Sequence, residues 1–124
     1  MTGWAAEVEG DRIRRGFLWW VNHDPALGSE AAMTRPALVV STDAVNPHSR
    51  TVLVCPLTSS VQRVYSFEVY IPSGEGGLER DSKAQPQLLR AVDKARLRGF
   101  IGQVSNPTLE LVTEAIALLT GMRD

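Results

Sequence analysis

Apolar residues in this chain fall in short runs broken by polar, Gly- and Pro-bearing segments, which is the pattern of brief strands. Ile13 to Val21 reads as a first strand, with Phe17, Trp19 and Val21 on one face and Leu18 and Trp20 on the other. Aromatic residues at that density favour strand over helix. Asn22 to Arg35 is a loop punctuated by Pro25 and Gly28. Ala37 to Ser41 forms the second strand, Asn46-Pro47-His48-Ser49 a turn, and Thr51 to Leu57 the third strand. Phe67 to Ile71 is the fourth strand, ended by Pro72-Ser73-Gly74; Leu88 to Val92 is the fifth and Phe100 to Val104 a short sixth. The last element changes period. Leu109, Val112, Ile116 and Leu119 recur at three and four residues, between Asn106-Pro107, which suits a helix start, and Gly121, which suits its end. The fold class is therefore mainly β (α+β): a small, strongly bent sheet or barrel of about six strands with a C-terminal helix packed on it. Met1 to Asp11 lacks periodicity and reads as an N-terminal extension, leaving residues 12–124 as a single domain.

Composition narrows the class. The chain has 124 residues, 44% hydrophobic and 22% charged, enough for one core. So short a chain is also expected to bury apolar surface in a dimer. No apolar run reaches membrane-spanning length and the N-terminus lacks a basic start followed by an apolar stretch, so the expectation is a cytoplasmic protein without a membrane partner. The net charge of −1 is not that of a duplex-DNA binder. Charge is nonetheless uneven: Arg12, Arg14 and Arg15 cluster early, and Arg90, Lys94, Arg96 and Arg98 later. A local anion site is compatible with this balance; general coating of nucleic acid does not follow from it.

Candidate chemistry is sparse. Cys55, the only cysteine, lies in an apolar run and is expected to pack as a small hydrophobe. His23 and His48 share no metal-ligand spacing with each other or with Cys55, so neither a metal nor another cofactor is expected. Gly74-Glu75-Gly76-Gly77 lacks the Lys and the strand–helix context of a phosphate loop. Trp19 and Trp20 are expected in the core rather than as stacking platforms for bases. Arg35 is more informative. Pro36 biases it to an extended backbone, where loop becomes strand. Thr58 closes the next strand. If those strands pair, a guanidinium and a hydroxyl meet at the rim of the sheet, a plausible phosphate site.

The order of these segments carries more than any one of them. Ile13-Arg14-Arg15-Gly16-Phe17-Leu18-Trp19-Trp20-Val21-Asn22 is followed by Asp24-Pro25, Gly28-Ser29-Glu30 and Thr34-Arg35-Pro36-Ala37-Leu38-Val39-Val40-Ser41. Pro56-Leu57-Thr58-Ser59, Phe67-Glu68-Val69, Gly77-Leu78, Asp81-Ser82 and Arg90-Ala91-Val92-Asp93-Lys94-Ala95-Arg96-Leu97 continue the series. This succession resembles the MazF/PemK family of toxin endoribonucleases over about residues 13 to 120. The resemblance implies an SH3-like barrel, a homodimer, and sequence-specific, metal-independent cleavage of single-stranded RNA by an enzyme without cofactors. It also implies a toxin of a type II toxin–antitoxin system, held inactive by a cognate antitoxin and meeting DNA only through that complex. The family's catalytic arginine falls on Arg35 and its catalytic threonine or serine on Thr58. Ser29 and Glu30 match the loop that gates and helps position the site. Base selection is expected from loops that include Ser59 and Arg50.

Three departures stand out: Ala31 where many relatives have Gln, Met33 in place of a usual Gly, and Gln87-Leu88 where an acidic residue and Gln are common. A rival reading is a non-enzymatic, CcdB-like gyrase inhibitor of the same fold, acting through its C-terminal helix. The Arg35/Thr58 pair argues against it. In the ribonuclease reading, the RNA supplies its own 2′-hydroxyl nucleophile and Arg35 stabilises the crowded phosphorane charge. Arginine titrates above about 12 and is a poor base, so the proton acceptor is left open.

Overall fold

The computed structural model describes residues 13–23 and 34–123; the extension expected over Met1 to Asp11 lies outside them. Seven strands form one antiparallel sheet: β1 Phe17–Asn22, β2 Thr34–Val39, β3 Thr51–Thr58, β4 Val69–Ile71, β5 Ser82–Ala84, β6 Arg90–Asp93 and β7 Leu97–Gln103. Among the described residues a single α-helix, α1, follows over Asn106–Leu119. The order is β4-β5-β3-β2-β1-β7, with β6 paired to β3. The sheet thus has seven strands rather than six. The strand missing from the sequence reading is β5, Ser-Lys-Ala, too short and too polar to show an alternation, although all three residues are buried.

β3 organises the sheet. One edge pairs with β2 through Ala37↔Pro56, Leu38↔Cys55 and Val39↔Val54. The other edge is shared: Thr51 to Val54 pair with β6, and Leu57 and Thr58 with β5. The neighbour changes at Pro56, whose carbonyl accepts from Gln85 N at 2.9 Å. The proline's missing N–H thus falls at the one place where no ladder partner asks for it.

Two apolar clusters occupy the two faces. Trp19, Val21, Ala37, Val39, Val52, Val54 and Val92 form one, with Phe17 and Leu97 against it. Leu18, Leu38, Cys55, Leu57, Val69, Ile71 and Ala84 form the other, covered by Val112 and Ala115 of α1. The two faces read for β1 are those observed, except that Trp20 is 42% exposed. β1 begins at Phe17 rather than Ile13, because Gly16 turns the chain at φ 95° and Phe17 N closes on Arg14 O at 3.0 Å.

The cap of α1 is Ser105 rather than Asn106: its hydroxyl accepts from Thr108 N at 3.3 Å. Glu75 reinforces this start, accepting from Thr108 Oγ1 at 2.5 Å and from Ser105 N at 3.2 Å. Burial alone would raise the Glu75 carboxyl, but those hydrogen bonds outweigh it and hold it below the ordinary value. At the other end Gly121 adopts φ 78° and Met122 N reaches back to Ala117 O at 2.8 Å. Leu119, read as part of the apolar stripe, is exposed.

The glycine-rich turn at 75–77 has a packing role. A Cβ on Gly102 of β7 would lie 2.1 Å from the carbonyl oxygen of Gly76, so only two glycines allow this turn to lie on the strand.

Candidate active site

Arg35 is the second residue of β2 and pairs with Val21 of β1. On the other side, the β2–β3 ladder ends at Ala37↔Pro56, two residues short of Arg35 and Thr58, which both border one cavity at that end of the two strands. Alternation along β2 and β3 puts Arg35 on the face of Ala37 and Val39, and Thr58 on the face of Val52 and Val54. Both residues thus lie at the same end of one apolar cluster, at the rim of a shared cavity. Thr58 Oγ1 accepts from Ser60 N at 3.2 Å. With that lone pair engaged, the hydroxyl proton is available to an anionic oxygen.

Two further groups join this face. Arg90 lies directly opposite Val54 in the β3–β6 ladder, and its Nη1 donates to His23 O at 3.1 Å. His23 follows the end of β1 and has its Nε2 buried without a hydrogen-bond partner. Burial, then the nearby charges of Arg90 and Arg35, lower its pKa, so the imidazole is neutral at neutral pH. Sequence position alone recommended neither residue for this site. The signal was there in part: Arg90 stands opposite Val54 once the third and fifth strands are paired.

A cavity of about 520 Å³ adjoins the pair at its rim. Arg35, Thr58 and Ser59 border it, and Trp20, Leu78, Arg80 and Ile101 are among the residues that line the rest. Trp20 was missed as a surface group because adjacent tryptophans in an apolar run look alike; Trp19, 3% exposed, is the core member. Arg50 is not brought here. It precedes Thr51 at the far end of β3 and pairs with Asp93 at 3.4 Å. Ser29 and Glu30, with Ala31 and Met33, lie outside the described residues. Cys55 is fully buried and burial pushes its thiol up to about 12, so it packs as expected and is no nucleophile at neutral pH. Among the described residues no His, Cys, Asp or Glu side chains group as a metal-ligand set.

The segment after Thr58 is fixed from below. Glu68 and Lys83 form a buried ion pair, which Gln87 joins from the surface: Lys83 Nζ donates to Glu68 Oε1 at 2.8 Å and to Arg63 O at 2.6 Å. Gln87 Nε2 donates to Glu68 Oε2 at 2.7 Å and Tyr65 N to Oε1 at 3.0 Å. Burial would raise the Glu68 carboxyl, but these donors prevail and hold it near 2. Gln87, although exposed as a residue, serves in this chain as a donor to the buried Glu68 carboxylate.

A bent antiparallel sheet with a C-terminal helix agrees with the fold of the toxin family suggested by the sequence. The family model for PemK-like, MazF-like toxins of type II toxin–antitoxin systems matches residues 14–120, and the chain belongs to that family. It is similar to endoribonuclease MazF9 of Mycobacterium tuberculosis, 40% identical over 86% of this chain and 94% of the relative. It is similar also to endoribonuclease EndoA of Bacillus subtilis, 30% identical over 90% of this chain and 97% of the relative. Among solved structures it resembles MazE–MazF from Deinococcus radiodurans, with a TM-score of 0.71 and 27% identity over 89% of this chain and 96% of that one. These matches give the gyrase-inhibitor reading no support.

Proposed function

We propose that this chain is the toxin of a type II toxin–antitoxin pair and an endoribonuclease that cuts single-stranded RNA at short sequences. The observation that carries this reading is that Arg35 and Thr58, from neighbouring strands, border one cavity in a chain of this family. The RNA 2′-hydroxyl attacks the adjoining phosphorus and the 5′-oxygen leaves, giving a 2′,3′-cyclic phosphate and a 5′-hydroxyl. The nucleophile is already tethered beside the phosphorus, which lowers the entropic cost of attack. Arg35 faces the phosphorane oxygens with planar donors, Thr58 adds a neutral one, and Arg90 contributes positive potential from β6. No metal or other cofactor takes part. The working form is a homodimer in the cytoplasm. A cognate antitoxin restrains it by laying an acidic segment over Arg35, where a carboxylate occupies the phosphate position; DNA is met only through that complex.

The test is direct. Long RNA is incubated with the protein in EDTA, the 5′ ends are mapped, and a short substrate is built around one cut. Replacing the nucleotide 5′ of the scissile phosphate by its 2′-deoxy form is expected to stop cleavage and preserve binding. Cleavage of the deoxy substrate at a comparable rate would show that water is the nucleophile and overturn the mechanism.

A further inference from the structure

Beside the catalytic pair the structure holds a second feature that the reaction described so far does not use. The cavity bordered by Arg35, Thr58 and Ser59 extends away from them to Trp20 and Arg80. Trp20 belongs to the face of β1 that carries Leu18, yet its indole is not covered. The neighbours across the sheet explain why. On β7 it pairs with Gly99, which has no side chain to lay over it; a Cβ there would be in ordinary contact with Trp20 Cδ1, 3.6 Å away. On β2 it pairs with Pro36. The large apolar π-face thus opens on the cavity rather than on the core. Arg80 supplies a cation that is in no ion pair among the described residues.

An uncovered indole and an uncommitted guanidinium in one cavity suit a ligand with a flat ring and a negative charge. A volume of about 520 Å³ holds one nucleotide and not a stack of several. Because the cavity begins at Arg35 and Thr58, its occupant is contiguous with the strand being cut. We propose that Trp20 and Arg80 form a nucleotide subsite flanking the scissile phosphate, with the base stacked on Trp20 and its phosphate on Arg80. This rests on the ribonuclease reading and extends it: the flanking base is held by stacking, which tolerates any base, so this position adds affinity more than sequence choice.

The test is binding without cleavage. Fluorescence anisotropy is followed with labelled 2′-O-methyl oligonucleotides of U, A or C, and with an abasic ribose-phosphate oligomer of equal length. Trp20→Ala is expected to weaken the three base-bearing probes by about tenfold or more and to leave the abasic probe unchanged. Trp20→Phe keeps a ring and is expected to fall between. Arg80→Ala is expected to weaken all four probes alike and to reduce the salt dependence by about one phosphate contact. Circular dichroism establishes that each variant is folded. Equal loss on base-bearing and abasic probes in Trp20→Ala, or no loss on either, overturns the stacking role. An unchanged salt slope in Arg80→Ala overturns the phosphate role. Wild-type protein that binds none of the probes overturns the subsite, whereas the ribonuclease reading stands or falls separately on cleavage of long RNA.

Discussion

Lys83→Met would expose how much the polar knot beneath the Thr58 segment matters. In the folded chain the Glu68 side chain is 1% exposed and the Lys83 side chain 9%. Removing the ammonium leaves a carboxylate in a dry site with only the Gln87 and Tyr65 donors. Breaking one partner of a buried pair typically costs 3–5 kcal/mol. With two donors retained, we expect the low end, about 3 kcal/mol, or roughly 12 °C in Tm for a domain of this size. Glu68→Gln should cost less, on the order of 1–2 kcal/mol, since its amide oxygen still accepts from Tyr65 and Lys83 keeps the Arg63 carbonyl. Urea unfolding followed by tryptophan fluorescence measures both. The pH dependence gives an independent check. Glu68 titrates near 2 in the folded chain against an ordinary 4.5, so it releases its proton more readily when folded. Its contribution is complete above about pH 4.5 and is lost as pH falls toward 2. Lys83→Met lacks most of that contribution, so the gap between wild type and variant should close over that interval. A loss under 1 kcal/mol at pH 7, or a gap that does not change between pH 5 and 3, would refute the argument.

Arg35→Ala should lower the cleavage rate about a hundredfold, some 3 kcal/mol of transition-state stabilisation, while leaving Tm nearly unchanged because the side chain is exposed. Arg35→Lys should be nearly as poor, since an ammonium cannot reproduce the planar fork; both are read from single-turnover kinetics. Gly102→Ala should destabilise by about 3 kcal/mol or more in urea titration, because the added Cβ meets a backbone oxygen that cannot turn aside. Ser105→Ala should cost about 1 kcal/mol through loss of the helix cap, checked by thermal melting.

Most strands were legible because their alternation is driven by burial on two faces, and β1 to β3 have enough residues to display it. β5 was not, because Ser82, Lys83 and Ala84 are buried by neighbours distant in the chain, and Lys83 is tolerated there through Glu68 and the Arg63 carbonyl. Arg35 was legible from Pro36, which sets its backbone. Thr58 followed from the end of an apolar run. Their place on one cavity depended on a register that no local signal supplies. Arg90 and Trp20 were not legible for the same reason: each takes its surroundings from a cross-strand neighbour, Val54 and Gly99. Trp19 and Trp20 differ in burial because Trp19 faces Phe100 across β7 and Trp20 faces Gly99. The helix boundary moved by one residue because Ser105 and Asn106 are both good caps, and Glu75, thirty residues earlier, selects the serine.

The pairing of β1 with β7 has a consequence for how this protein comes into being. Phe17 waits for Gln103, and part of the cavity lining is supplied by Phe100 and Ile101 of β7. Contacts of such sequence separation form late and slowly, after the intervening chain has been ordered. During synthesis the N-terminal strands, with Arg35 and Thr58 already made, have no β7 to close against. A nascent chain shorter than about residue 103 therefore holds both groups proposed for catalysis without the enclosure that would make them a site. A ribosome making this toxin is not exposed to a finished nuclease until the message is nearly read through.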